Sequence, residues 1–143
     1  MARSTVIPEA HLLLLRESDV LLLRRQNTGY EDGNYSVIAG HIETGETPRQ
    51  GVAREASEEA GLTIDLQDLT FCHFMHRKCN EERVSFFFTA RRWLGEPRNL
   101  EPNKCSGLSW FPVNKLPNNV IPYIKHAIEA MLRGEVYSER GAI

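Results

Sequence analysis

Residues 40–62, GHIETGETPRQGVAREASEEAGL, contain the most strongly marked helix of the chain. They also contain a cluster of closely spaced glutamates. Thr47 is a favourable N-cap, and Gln50 three residues later completes a capping box with it. Pro48 suits the first position of a helix, and Gly61 suits the position just after the last turn. The pattern therefore predicts a helix that begins at Pro48 and ends just before Gly61.

Three glutamates of this predicted helix, Glu55, Glu58 and Glu59, are spaced at i, i+3 and i+4. Side chains at that spacing share one surface patch, where like charges repel by about 0.2–0.5 kcal/mol per pair. Arg54 lies four residues before Glu58, so a solvated acidic face with one salt bridge is a sufficient explanation of the cluster. A bound cation is the other explanation, and the spacing alone leaves both open.

The chemistry of these side chains and the turn before them favour the cation. Oxygen ligands suit Mg²⁺ or Mn²⁺ rather than zinc. In proteins, Mg²⁺ is commonly held by one or two carboxylates together with substrate phosphates. The turn around Gly45 lets the backbone approach a ligand closely. Together these features suggest a metal-assisted phosphate site.

The same stretch resembles the Nudix box, whose pattern is G-x5-E-x7-R-E-U-x-E-E-x-G-U, where U is a bulky apolar residue. Every fixed position of that pattern is filled, by Gly40, Glu46, Arg54, Glu55, Glu58, Glu59 and Gly61. Ala56 and Leu62 occupy the apolar positions, and Ala56 is smaller than the usual residue. The order of strands before and after the box also resembles the family.

The resemblance implies an α/β/α sandwich with a mixed sheet between helices, formed by residues 1–143 as one domain. It implies hydrolysis of a nucleoside diphosphate linked to another group, with Mg²⁺ as cofactor and Mn²⁺ as a substitute. The implied metal ligands are three side chains and one backbone carbonyl, those of Glu55, Glu58, Glu59 and Ala39. Arg54 would orient the glutamates, and Glu46 would brace the preceding loop. Ile38-Ala39 stands where many relatives have Pro-Gly, yet we expect the carbonyl of Ala39 to remain usable.

A further carboxylate is expected in the loop that precedes Trp110. Hydrolysis at phosphorus needs an activated water, and in some relatives such a loop supplies the extra carboxylate. Glu101 is the best candidate for this role, and Glu96 is a weaker one. A solvated loop glutamate is the alternative interpretation of Glu101.

The segment around Asn119 resembles the part of nucleoside triphosphate-cleaving relatives that places an amide against the base. An asparagine offers both a donor and an acceptor to a purine edge, so Asn119 and then Asn118 are the candidates for substrate binding. Turn formation is the alternative explanation of Pro-Asn-Asn, and the residue types favour it somewhat over a base contact. His41 follows Gly40 and is a candidate contact to phosphate.

The remaining pattern predicts a mixed sheet flanked by helices. Predicted strands cover residues 6–15, 20–25, 35–39, 69–78, 83–93 and 108–113, and a second helix covers residues 122–132. The segment from Gly134 onward is polar, and we expect a frayed tail there.

The composition of the chain limits the classes of partner that it is expected to bind. The chain has 143 residues with a formal net charge of −2, which argues against a broadly basic nucleic-acid surface. Its apolar runs are too short to span a bilayer, and its three cysteines suggest free thiols in a reducing cytoplasm. We therefore expect a cytoplasmic protein with a small-molecule nucleotide partner and neither a nucleic acid nor a membrane partner. A homodimer stays open.

The leading prediction is a nucleoside triphosphate pyrophosphohydrolase that releases a nucleoside monophosphate and pyrophosphate. Hydrolysis of another nucleoside diphosphate derivative, such as a sugar or dinucleotide, is the alternative. A silent nucleotide sensor and a prenyl diphosphate isomerase are the other classes considered. The complete set of box residues disfavours both.

Overall fold

The computed structural model describes residues 2–141. Its strands are β1 Ile7–Arg16, β2 Asp19–Arg25, β3 Tyr35–Ser36, β4 Ile38–His41, β5 Thr70–Lys78, β6 Glu82–Ala90, β7 Cys105–Pro112 and β8 Tyr137–Gly141. The helices are α1 Pro48–Ala60 and α2 Pro122–Arg133, and Leu66–Asp68 form a short 3-10 turn. None of the helices in residues 2–141 is long and apolar enough to cross a membrane.

The ends of α1 are set by local hydrogen bonds, as the sequence predicts. The Thr47 hydroxyl accepts from the Gln50 amide at 3.2 Å, and the Gln50 side chain accepts from the Thr47 amide at 2.9 Å. Gly61 ends the helix with φ of 70°, in the left-handed region that glycine tolerates best. This capping fixes where the helix starts, and with it the direction in which its glutamates point.

The sheet is mixed, and it opens between β1 and β2. Strands β4, β1, β6, β5 and β8 form one part, in which the β1–β6 and β5–β8 pairs are parallel. The other part is β3–β2–β7, all antiparallel. β1 and β2 pair only at Leu15↔Val20 and Arg16↔Asp19. Beyond that point the two parts diverge and leave a cleft.

Both faces of the sheet are covered, which confirms the predicted sandwich. Leu12 and Leu14 of β1 pack in a core that includes Val52 of α1. Leu13 packs in a second core, which includes Ile124 of α2. Successive residues of a strand point to opposite faces, so the uninterrupted leucine run of β1 fits a strand buried on both sides.

The predicted frayed tail is wrong, because the chain after Gly134 returns as β8 beside β5. The fully buried ring of His73 on β5 ties this strand down. Its Nδ1 donates to the carbonyl oxygen of Glu135 at 2.7 Å, and its Nε2 lies 2.7 Å from the Ser138 hydroxyl. Composition within the tail does not reveal these long-range contacts.

Two strand limits differ from the predictions by three residues, and the single strand predicted over residues 35–39 is divided into β3 and β4, which pair with different strands. β6 ends at Ala90 rather than at Trp93, and β7 begins at Cys105 rather than at residue 108. The earlier start of β7 extends its pairing with β2, where Cys105 lies opposite Arg25 after an irregularity in the register. The loop that holds Glu101 therefore covers residues 91–104, three residues earlier than predicted, and its length is unchanged.

Candidate active site

A cavity of about 750 Å³ lies where the two parts of the sheet diverge, and its lining includes residues of α1. Two opposing sets of side chains give it its chemistry. The helix wall consists of Arg54, Glu55, Glu58, Glu59 and Glu101. The sheet wall consists of Glu9, Arg77, Arg83 and Tyr123.

Arg54 is the centre of the helix wall. Its Nε donates to Glu46 at 2.6 Å, and its Nη1 donates to Glu55 at 2.7 Å and to Glu58 at 3.0 Å. Its Nη2 donates to the backbone carbonyl of His41 at 3.0 Å. The planar guanidinium has five N–H donors in a fixed fork. One arginine therefore sets the direction of two box glutamates and holds them against the end of β4.

Glu46 braces the loop before α1. One of its carboxylate oxygens accepts from the backbone amide of Glu43 at 2.8 Å. The hydrogen bond from Arg54 and this amide bond hold the pKa of Glu46 below its usual range. The carboxylate thus stays charged and links the turn to the helix.

Gly40 leaves the space that Glu55 occupies. A Cβ built on Gly40 would collide with the carboxyl group of Glu55. The backbone angles of Gly40 are ordinary, so the reason for glycine here is this close approach rather than backbone conformation.

Glu59 is the most perturbed carboxyl group of the cavity. Partial burial raises its pKa well above the usual range, and the hydrogen bond and charge of Glu55 and the charge of Glu101 raise it further. The backbone amide of Ala39 acts in the opposite direction. Three acidic groups crowded together in this way are stabilised by a proton or by a cation.

Glu101 joins this group because its loop is fastened to the end of α1. The amides of Arg98 and Leu100 donate to the carbonyls of Ala60 at 3.0 Å and Glu59 at 3.1 Å. The Asn99 side chain accepts from the Glu101 amide at 3.1 Å and donates to the Cys105 carbonyl at 2.7 Å. The loop is therefore held in place by hydrogen bonds at both of its ends.

The donor set fits a hard divalent cation. The helix-wall carboxylates provide oxygen ligands only, which is the preference of Mg²⁺ and Mn²⁺. Within residues 2–141, no three acidic, histidine or cysteine side chains stand at the mutual distances of a complete coordination sphere. Arg54 accounts for part of this, since it holds Glu55 and Glu58 by direct hydrogen bonds.

The predicted substrate contacts fall in different places. His41 lines the cavity with an exposed ring, 3.7 Å from Glu9 and 3.5 Å from Arg83. The Asn119 amide donates to the Gly33 carbonyl at 2.9 Å. In the described part of the chain, the cavity lining includes neither Asn119 nor Asn118.

The sheet wall is the part of the cavity that the sequence does not predict as a unit. In the sequence, Arg77 and Arg83 are plausible contacts to phosphate with an ordinary surface arginine as the default interpretation, yet Arg77 is only 8% exposed. The alternation of β5 contains a usable sign, because buried His73 and Met75 share a strand face with residue 77. Glu9 and Tyr123 are brought to Arg77 only by the folding of distant elements.

Comparison with known proteins agrees with the fold and the box. A family model described as the NUDIX domain matches residues 7–131. The oxidized purine nucleoside triphosphate hydrolase of Danio rerio is 30% identical over 107 residues, which are 74% of this chain and 67% of the relative. The NAD-capped RNA hydrolase NudC of Klebsiella pneumoniae is 42% identical over 53 residues, which are 37% of this chain and only 20% of that relative.

A solved structure extends the agreement to three dimensions. The crystal structure of a MutT NUDIX hydrolase from Burkholderia pseudomallei superimposes with a TM-score of 0.81 at 24% identity, covering 89% of this chain and 98% of that chain. This likeness concerns the fold, while the family model covers most of the chain. The protein is therefore a member of the Nudix hydrolase family.

Proposed function

We propose that the protein is a nucleoside triphosphate pyrophosphohydrolase that releases a nucleoside monophosphate and pyrophosphate with Mg²⁺, or Mn²⁺ in its place. The observation that carries the proposal is the helix wall, where Arg54 orients Glu55 and Glu58 and where Glu59 and Glu101 lie in the same cavity. The similarity to a Danio rerio enzyme named for oxidized purine nucleoside triphosphates supports the substrate class.

Glu55, Glu58, Glu59 and the carbonyl of Ala39 are the proposed metal ligands. When bound, the ion would neutralise phosphate charge and lower the pKa of a water molecule. Arg54 keeps two of the carboxylates aligned, and Gly40 gives Glu55 the room it needs.

Glu101 is the proposed general base. It lies in the cavity lining near Glu59, whose pKa its charge helps to raise. A carboxylate there can take a proton from the attacking water while the loop contacts with α1 keep it in position. His41 is the proposed contact to phosphate, because its ring is exposed to the cavity.

Asn119, with Asn118 as the second choice, stays a proposed contact to the base. The Asn119 amide is engaged with Gly33, so base contact requires it to exchange that partner. Its carboxamide oxygen is a further hydrogen-bonding group for a ligand.

The test is product analysis on a panel of ribo- and deoxyribonucleoside triphosphates with Mg²⁺. We expect equal amounts of pyrophosphate and nucleoside monophosphate. Release of inorganic phosphate with a nucleoside diphosphate would contradict the proposed bond cleavage. If only sugar or dinucleotide diphosphates are cleaved, the alternative hydrolase holds, and if none is cleaved but nucleotides bind, the protein is a sensor.

A further inference from the structure

The sheet wall contains a buried cation with a spare donor. The Arg77 side chain is 10% exposed, and its Nη2 lies 3.6 Å from a carboxylate oxygen of Glu9. Its guanidinium carbon stands 3.5 Å from the centroid of the Tyr123 ring. The buried Nη1 has no hydrogen-bond partner among residues 2–141. Buried polar groups are nearly always paired in proteins, so this donor points to an acceptor supplied from outside the chain.

Glu9 does not satisfy this donor, because it is shared. Its other carboxylate oxygen accepts from Arg83 at 2.7 Å, and the Ser85 hydroxyl lies 3.4 Å from the first. Two arginines thus face one carboxylate. The carboxylate fixes the direction of Arg77 while leaving part of its fork unused.

The surroundings of Arg77 favour a flat ring with a neutral acceptor over a phosphate. Tyr123 covers one face of the guanidinium, and a planar guanidinium held in this way stacks well on a flat ring. Glu9 lies next to Arg77 and would repel an oxyanion. His11, which also lines the cavity, adds no positive charge near neutrality because burial lowers its pKa to about 4.

The position of Arg77 also suits the base of a nucleotide. Ala39, beside Glu59, pairs with His11 of β1, whereas Arg77 belongs to β5, two strands away from β1. Neighbouring strands are about 4.8 Å apart. A ligand with its phosphates at the helix wall therefore extends its base toward the sheet wall.

Arg77 lies between the main cavity and a smaller one of about 190 Å³, and Tyr30 lines both. Tyr30 is 49% exposed and belongs to the loop between β2 and β3. The Arg25 guanidinium lies 5.3 Å from the centroid of this ring, and a ligand that reaches the buried guanidinium of Arg77 has to displace the exposed Tyr30 ring.

We propose that Arg77 is a specificity-determining residue, held by Glu9 and Tyr123, that donates to a ring carbonyl oxygen of the substrate base. This proposal rests on the proposed function for the identity of the ligand as a nucleotide. It assigns preference to 6-oxopurines over adenine, which has an amino group at that position. Arg77 has this role independently of the proposed contact from Asn119.

The test compares Arg77→Met and Arg77→Lys with Arg92→Met, which removes an exposed arginine just after β6. Calorimetry measures the Kd of GMP, AMP and 2-aminopurine riboside monophosphate, which lacks the 6-oxo group. The kcat/KM values for GTP and ATP are measured in parallel. We expect the wild type and Arg92→Met to favour GMP over both other ligands. Arg77→Met should raise the Kd of GMP about 10- to 100-fold. It should change the Kd of AMP by no more than about threefold.

The proposal is overturned if the folded Arg77→Met variant loses equal affinity for GMP and AMP, or if it loses affinity for neither nucleotide. If Arg77→Met does not fold, Arg77→Lys keeps the charge but loses the planar fork, and it should narrow the preference for GMP. A wild type that binds GMP and the 2-aminopurine nucleotide equally also overturns it. If no triphosphate is hydrolysed while the Arg77-dependent preference in Kd persists, the proposed function fails and the assignment of Arg77 stands.

Discussion

The helix wall and the sheet wall of the cavity arise in different ways. In the helix wall, a single helical turn brings Arg54, Glu55 and Glu58 together, and a capping box fixes the start of that helix. In the sheet wall, Glu9, Arg77 and Tyr123 come from β1, β5 and α2. The spacing of residues along one helix determines the arrangement of Arg54 with its two glutamates. The assembly of the sheet with α2 determines the arrangement of the sheet wall. We infer that the helix wall supplies the hydrolytic chemistry that the Nudix family shares, and that the sheet wall determines which substrate is chosen.

The largest expected effect is removal of the divalent ion, which acts through the helix wall alone. Exhaustive chelation should abolish turnover, because the crowded carboxylates require a cation to bind a polyanionic substrate. Addition of Mg²⁺ or Mn²⁺ should restore it, as followed by pyrophosphate release. Turnover that survives chelation would refute the metal assignment.

Glu58→Gln and Glu59→Gln remove one charge each from the helix wall while preserving shape. Either change should lower kcat by about 10²–10³-fold and leave the Tm close to that of the wild type. Glu129→Gln is the matched control, since Glu129 lies on α2 in an exposed pair with Lys125. Wild-type turnover by either folded helix-wall variant would show that the cluster is not catalytic.

Glu101→Gln tests whether the general base lies outside the box. We expect kcat to fall by about 10²-fold with little change in KM, because the proposed proton transfer occurs only as the reaction proceeds. Steady-state kinetics make the comparison with Glu96→Gln as the control, because the structure places Glu96, the weaker candidate from the sequence, in an exposed pair with Arg16. A neutral Glu101→Gln beside a crippled Glu58→Gln would place the base within the helix.

Gly40→Ala tests the packing behind the helix wall. The added methyl group collides with Glu55, and a displacement of about 1 Å at a catalytic group can cost up to about 10²-fold in rate. We expect kcat to fall about 10- to 100-fold. Gly107→Ala is the control, because a Cβ there meets nothing within 4 Å. Equal activities of the two variants would mean that Glu55 relaxes without loss.

The sequence predicts where Arg54 and the three glutamates of α1 lie because the determinants of this helix are near one another, whereas Glu101 reaches the helix wall through the hydrogen bonds of a distant loop. Thr47 and Gln50 mark the start of α1, and the spacing of the glutamates marks their common face. The sheet wall and β8 depend on contacts between distant residues. Arg77 has no feature in its own neighbourhood that predicts Glu9 and Tyr123 beside it, and nothing in the tail predicts its bond with His73.

The smallest expected effect concerns a polar contact that is buried like those of the cavity but lies outside it. Ser138→Ala removes the hydroxyl that pairs with Nε2 of fully buried His73. An unpaired buried nitrogen costs about 1–3 kcal/mol, which corresponds to a Tm lowered by roughly 3–10 °C. Thermal unfolding measures this, with exposed Ser106→Ala as control. The kcat and KM should stay at wild-type values, because the contact joins β5 to β8 and lies outside both cavity walls. A changed ratio of GTP to ATP turnover in Ser138→Ala would instead show that β8 acts on the sheet wall through β5.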